Sequence, residues 1–294
     1  MFKIAQSNAL GASPCHQCAS LSCPTCGTGD WKHVRRVRGA SISQCGRCGL
    51  LATTDFLVGN ATADGLYETS LEHYEEYGDR YLPRRIPAFE RVISSLERFR
   101  RTGRLLEVGC SYGDFLEVAR RAGWRADGIE ISSYACQVAR SKGFEVHSGE
   151  LEGLALNRNS YDVIAMWDVI EHLRDPGEIV QRCKELLAPG GALVARTPNA
   201  DALERRGGLP GLAYRQLAYP ANTREHVFHF TPKSLSQLLK AQGFERVETD
   251  DYGGWEERVI SGGSAPVRMG RYLIMRYAWL RRWPYEFVVT AMKV

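Results

Sequence analysis

From Arg104 to the end of the chain, short apolar runs alternate with amphipathic stretches. Runs this short suit strands buried on both faces, and the amphipathic stretches suit helices that cover them. The pattern predicts an α/β fold with a largely parallel sheet. Strands are expected over 104–108, 126–130, 145–147, 162–167, 192–197, 244–249 and 286–293. Helices are expected over 114–122, 133–142, 176–187 and 232–242. Asp175 and Thr231 precede the last two helices as N-caps, each with proline at the first helical position. Pro189-Gly190-Gly191 is expected to stop the third helix and turn the chain into the next strand. In the last strand Phe287, Val289 and Ala291 share one face, and Val288, Thr290 and Met292 the other.

The first of these strands ends Leu105-Leu106-Glu107-Val108-Gly109, and Gly113 follows just before a helix. Glycine suits a turn that bends sharply and passes close to a ligand. Open α/β sheets bind ligands at the carboxyl ends of their strands, which is where this turn falls. The second strand ends Gly128-Ile129-Glu130, 21 residues after Gly109. A carboxylate there can accept two hydrogen bonds from a ribose diol, an arrangement that serves NAD and S-adenosylmethionine (SAM) alike.

The fourth strand separates these two. It runs Tyr161-Asp162-Val163-Ile164-Ala165-Met166-Trp167-Asp168-Val169-Ile170-Glu171-His172-Leu173, followed by Asp175-Pro176 and by Leu187-Ala188-Pro189-Gly190-Gly191. Over roughly 104–248 this succession resembles the class I SAM-dependent methyltransferases. It is most similar to the branch of quinone-biosynthesis and sugar- or natural-product-modifying enzymes. The resemblance implies a Rossmann-like seven-stranded sheet with SAM as cofactor. Glu107 and Gly109 would hold the methionine end of SAM, within a turn that also includes Cys110 and Gly113. Glu130 would take the ribose hydroxyls, and Ile131 would pack on the adenine. Glu150 and Leu151 would contact the adenine, and Trp167 and Asp168 would border the sulfonium. Ser111 departs from the family, which often has glycine there.

A hydroxyl or carbon-acid acceptor needs a base, and histidine titrates nearest working pH. His172 follows the fourth strand. A second cluster, Thr223-Arg224-Glu225-His226-Val227-Phe228-His229-Phe230-Thr231, follows the fifth. Similar enzymes carry a Glu-His pair here, so His226 is the leading base, with Glu225 orienting it. His229 is expected to pack beside Phe228 and Phe230. The span 198–230 is long for a connection and reads as a lid or substrate loop.

Cys23-Pro24-Thr25-Cys26-Gly27 and Cys45-Gly46-Arg47-Cys48-Gly49 are two C-x₂-C-G knuckles with 18 residues between them. Four thiolates satisfy tetrahedral Zn²⁺ and leave no open position, so the metal is expected to be structural. Cys15 and Cys18 form a third pair. Cys110, Cys136 and Cys183 lie in α/β elements and read as buried thiols. A zinc ribbon ahead of a methyltransferase domain also resembles the C-methyltransferases of nucleotide-linked deoxysugars. The C-terminal domain of those enzymes has no counterpart in this sequence, so oxygen is expected ahead of carbon as acceptor.

The sequence thus divides into a flexible segment (1–22), a zinc-binding module (23–55), a helical connector or cap (56–103) and the methyltransferase domain (104–294). Tyr67, Tyr74, Tyr77 and Tyr81 share one helical face in the connector. Within the last part, 254–283 is a basic aromatic insertion. Arg268, Arg271, Arg276, Arg281 and Arg282 occur there among apolar residues, with no acid from 268 to 283. They could grip an anionic substrate, lie on an anionic membrane surface, or edge a packed helix. The N-terminus lacks a secretory apolar core and no run is long enough to span a bilayer, so a cytoplasmic location is expected. A net charge of +4 does not by itself call for nucleic acid. The acceptor is expected to be a small molecule, sugar, glycan or natural product, with O-methylation first. The other readings are C-methylation of a nucleotide-linked sugar, RNA methylation and non-catalytic SAM binding. Trp167-Asp168-Val169-Ile170, where amino-directed RNA enzymes have Asn-Pro-Pro-Tyr, weighs against RNA.

Overall fold

The computed structural model of the chain describes residues 22–37, 40–55, 82–201, 226–251, 264–280 and 286–294. Its centre is a seven-stranded sheet. The strands are β4 (Arg104–Val108), β5 (Arg125–Glu130), β6 (Glu145–Ser148), β7 (Tyr161–Trp167), β8 (Leu187–Pro198), β10 (Glu245–Asp251) and β11 (Glu286–Met292), in the order β10-β11-β8-β7-β4-β5-β6. The five strands β4 to β8 are parallel. β11 inserts antiparallel between β8 and β10. The chain builds outward from β4 through β5 to β6, then crosses back to place β7 on the other side of β4. That reversal opens a crevice at the carboxyl ends of β4 and β7.

Alternation along the strands divides the core between the two faces. Leu106, Val108, Ile164, Met166, Leu193 and Ala195 face α4 (Pro176–Leu186) and α5 (Pro232–Ala241). Leu105, Val163, Ala165 and Val194 face α1 (Leu82–Leu96), α2 (Asp114–Arg121) and α3 (Ser133–Ser141). Asp175 caps α4 by accepting the Glu178 N–H at 2.9 Å, and Thr231 caps α5 by accepting that of Ser234 at 3.0 Å.

One expectation is revised. Helix α4 ends at Leu186, and Pro189-Gly190-Gly191 lies inside the long strand β8 as a bulge where its register with β7 shifts. Gly190 takes a positive φ of 74°, and its N–H reaches the Lys293 carbonyl at 2.8 Å, so pairing with the chain end replaces a free turn. The alternation expected of the last strand holds: Phe287, Val289 and Ala291 of β11 pack into the core on one side of the sheet, and Val288 and Met292 into that on the other.

The N-terminal cysteines flank a second sheet formed by β1 (Trp31–Val37), β2 (Ala40–Cys45), β3 (Leu51–Thr53) and β9 (Phe228–His229), with Cys45 ending β2 and Cys23, Cys26 and Cys48 outside the strands. Its fourth strand therefore comes from the far half of the chain. Helix α6 (Ala265–Leu280) occupies the basic insertion and exposes Val267, Met269 and Leu273. Among the described residues no helix is long and apolar enough to cross a membrane. Residues 1–21, Tyr67, Tyr74, Tyr77 and Tyr81 lie outside the described residues, as do 202–225 of the expected lid.

Asp162, at the start of β7, is buried and gathers three backbone N–H groups, from Arg101 at 2.8 Å and from Thr102 and Gly103 at 2.7 Å. It thereby fixes the lead-in to β4 beside β7. Hydrogen bonds to a buried carboxylate count for more than neutral ones. Asp162→Ala should cost about 2–4 kcal/mol of stability, read by urea unfolding. A change below about 0.5 kcal/mol, typical of surface sites, would refute this role.

Candidate active site

The turn after β4 shows why glycine recurs there. Gly109 and Gly113 take φ of 72° and 80°, and a Cβ on Gly109 would lie 2.5 Å from Val169 Cγ2. Ser111 is also left-handed, at 47°, which explains the family's use of glycine at that position. Its N–H donates to Glu130 Oε2 at 2.8 Å, and the Ser132 N–H donates to Glu130 Oε1 at 2.8 Å. Glu130 thus joins the ends of β4 and β5. Each carboxylate oxygen has a second lone-pair direction left for a diol.

Glu107 is buried and its Oε2 lacks a hydrogen-bond partner. Burial, with Asp114 and Glu130 nearby, pushes its carboxyl well above the usual range, and Arg85 opposes this. A buried, unsatisfied acceptor at the crevice fits a cationic amino group. Ile131 is 46% exposed, next to Glu130, and offers an apolar face to a flat ring. Leu151 is buried and Glu150 exposed on the turn after β6. These positions fit SAM. Two expected residues are placed differently. The Cys110 side chain packs at Gly128, where an added Cβ would lie 2.5 Å from its Sγ, so Cys110 can offer the crevice only its backbone. The Trp167 ring packs at a tilt against Phe89 and Phe115, with centroids at 5.1 and 4.8 Å, within the core.

Asp168 directly follows β7 with a positive φ of 56°. Its carboxylate pairs with Arg85 at 2.9 Å and with the buried Arg196, which also pairs with Glu286. The sequence reading missed this network. Its legible signal was an arginine inside the apolar run 192–197.

Beyond Asp168, the His226 ring meets the His172 ring edge-on at 4.7 Å between centroids. Ligating atoms of Glu171, His172 and His226 all lie within 4.8 Å of one another, a set able to pass a proton or hold a cation. Glu171 is buried, and neither of its oxygens makes a hydrogen bond. Burial and the neighbouring Asp168 push it up to about 8, against a weaker pull from Arg196. Burial, then His172, holds His226 well below its usual range, so it is neutral at neutral pH. Glu225, expected to orient it, lies outside the described residues.

Across the second sheet, Cys23 Sγ lies 3.5 Å from Cys48 Sγ, and Cys26 Sγ lies 3.5 Å from Cys45 Sγ. All four sulfurs fall within 4.8 Å of one another. Sulfurs on a tetrahedral Zn²⁺ sit about 3.8 Å apart, so the cluster fits that ion. Gly27 and Gly49 take φ of 72° and 78°, and their N–H groups close the knuckles onto the Cys23 and Cys45 carbonyls.

Comparison with known proteins agrees with this geometry. Residues 74–249 match the family model of the methyltransferase domain. Over 152 residues the chain is 28% identical to the ubiquinone biosynthesis O-methyltransferase of Aromatoleum aromaticum, covering 49% of this chain and 65% of that one. It spans just under two thirds of the length of the first such relatives it matches. Its fold is similar to a SAM-dependent methyltransferase from Thermotoga maritima, at 18% identity and TM-score 0.52 over 76% of this chain and 96% of that chain. It is also similar to phosphoethanolamine N-methyltransferase 2 of Haemonchus contortus in complex with SAM, at 16% identity and TM-score 0.50 over 74% and 59%.

Two outcomes test the site. Glu130→Ala should weaken SAM binding about tenfold or more by calorimetry, with the melting temperature of the ligand-free protein recorded to separate loop loosening; unchanged affinity removes the ribose assignment. For Glu171, the folded chain keeps a proton between pH 4.5 and about 8 that the unfolded chain releases. Its contribution is therefore full below 4.5 and lost as pH rises through that window. The stability of Glu171→Gln should fall less steeply than wild type over the same window in urea titrations, and parallel curves would contradict the raised pKa.

Proposed function

The chain belongs to the methyltransferase-domain family; from that premise we propose that it is a SAM-dependent methyltransferase that methylates an oxygen of a small-molecule, sugar, glycan or natural-product acceptor, with His226 as base. The observation that carries this reading is the buried, neutral His226 packed against His172 beside Glu171, directly beyond the end of β7. The O-methyltransferase names of the matched relatives support oxygen over carbon.

Bound SAM supplies a methyl group activated by a cationic sulfonium. The chain's own task is to bind, orient and deprotonate. Glu107 would hold the methionine end of the cofactor and Glu130 its ribose, and the Gly109 turn would bring backbone close to it. An unprotonated imidazole nitrogen of His226 removes the acceptor hydroxyl proton as that oxygen becomes nucleophilic. Glu171, protonated at neutral pH, adds no second negative charge beside Asp168. Four thiolates, those of Cys23, Cys26, Cys45 and Cys48, would hold a structural zinc.

The test is a panel of phenolic, sugar and hydroxylated polyketide acceptors with labelled SAM, the methylated atom being read by mass spectrometry and NMR. His226→Ala should lower turnover of the accepted compound about 10²–10⁴-fold while SAM affinity holds. Wild-type turnover in that variant would move the base elsewhere, and methylation at carbon would overturn the oxygen assignment.

A further inference from the structure

The cysteine module and the acceptor side of the site share a strand. β9 has two residues and β3 three, so neither is self-supporting. β9 pairs antiparallel with β3, Leu51 opposite His229 and Ala52 opposite Phe228. The Thr53 N–H donates to the Val227 carbonyl at 2.9 Å. Thr53 Oγ1 and His229 Nε2 are hydrogen-bonded at 2.8 Å, and both side chains are buried. On the other side, the N–H groups of Val227 and Phe228 donate to the Glu171 carbonyl at 2.8 and 3.0 Å. His226, against His172, is the residue immediately before this strap.

β3 leaves the second knuckle directly. Cys45 ends β2, its N–H meets the Leu50 carbonyl at 2.8 Å, and Leu51 begins β3. A metal on Cys45 and Cys48 would pin the turn from which Thr53 follows five residues later. The first knuckle rests near the start of α4, where a Cβ on Gly177 would lie 3.6 Å from the Pro24 carbonyl oxygen. Cys23, Cys45, Leu50 and Ala52 share one apolar core with Phe228 and Phe230. Burial, then Arg35, holds His229 down to about 3, so its bond to Thr53 does not switch across neutral pH.

We propose that Thr53 and His229 are positioning residues for His226, and that the four-cysteine cluster, by fixing β3, sets the placement of the acceptor side of the site. The role of the cluster rests on the zinc reading above; the role of Thr53 does not. The module is then part of the site's frame, and the placement of His226 responds to metal occupancy while SAM binding does not.

The test uses the full chain as purified, with its metal content measured. Amide exchange is followed at 226–230 and, as reference, at 105–108 and 163–166; SAM affinity is read by calorimetry and the His226 ring by NMR. Thr53→Val should raise exchange at 226–230 about tenfold or more and shift the His226 ring resonances, with the reference strands and SAM affinity unchanged. Thr53→Ser should restore wild-type behaviour. Chelation should act on 226–230 as Thr53→Val does. Unchanged exchange at 226–230 in Thr53→Val overturns the positioning role, as does equal loss in the reference strands, which marks general stability. A metal-free protein overturns the zinc reading and the part assigned to the cluster, leaving Thr53 to stand on its own arm. Bound zinc whose removal leaves 226–230 unmoved overturns only the cluster's part.

Discussion

Arg196 sits inside the central sheet with 2% of its surface exposed. A buried guanidinium cannot shed its proton, so its desolvation, several kcal/mol, must be offset by paired carboxylates. Asp168 comes from the end of β7 and Glu286 from the start of β11. The cation therefore draws three neighbouring strands together at the rim where the crevice opens. Arg85 joins from α1 and carries the tie to the helical layer. Asp168 reaches both arginines from a left-handed backbone, a conformation held by surroundings that over-determine it.

This pairing also shapes the chemistry next to it. With its charge committed to two arginines, Asp168 still raises Glu171, which has no partner of its own. The rim thus holds one ionised and one protonated acid a few residues apart, with neutral His226 beyond them. Glu130 works in the same double way on the cofactor side. It is both a candidate ligand for a diol and the brace between two loops. Ligand contact and loop order are thus coupled at that residue.

Much of the frame was legible in the sequence because period and punctuation agree there. The runs at 104–108, 126–130 and 162–167 are strands, and Asp175-Pro176 and Thr231-Pro232 start helices where their caps require. The knuckle spacing brought four sulfurs together across a hairpin. What was not legible is set by long-range pairing. Nothing local in Pro189-Gly190-Gly191 tells a helix stop from a bulge; the Lys293 backbone decides it. Trp167 was a site residue by family resemblance, yet its ring packs against Phe89 and Phe115. Arg196 was an anomaly in plain view, but its partners lie 28 residues before it and 90 after.

The pairing of β3 with β9 belongs to the same class and has the widest consequence. Phe228-His229 has no strand signal of its own, since two residues define no period. Its conformation is imposed by β3 on one edge and by the Glu171 carbonyl on the other. Residues of the second sheet and the base-bearing segment therefore cannot be treated as separate units, even though 173 residues lie between Thr53 and Val227. Contacts this distant in sequence carry a closure entropy, which is better offset where the surroundings of each partner are well ordered. On one side that order comes from the tightly folded knuckles, and on the other from the Arg196-tied rim. His226 lies where the two meet.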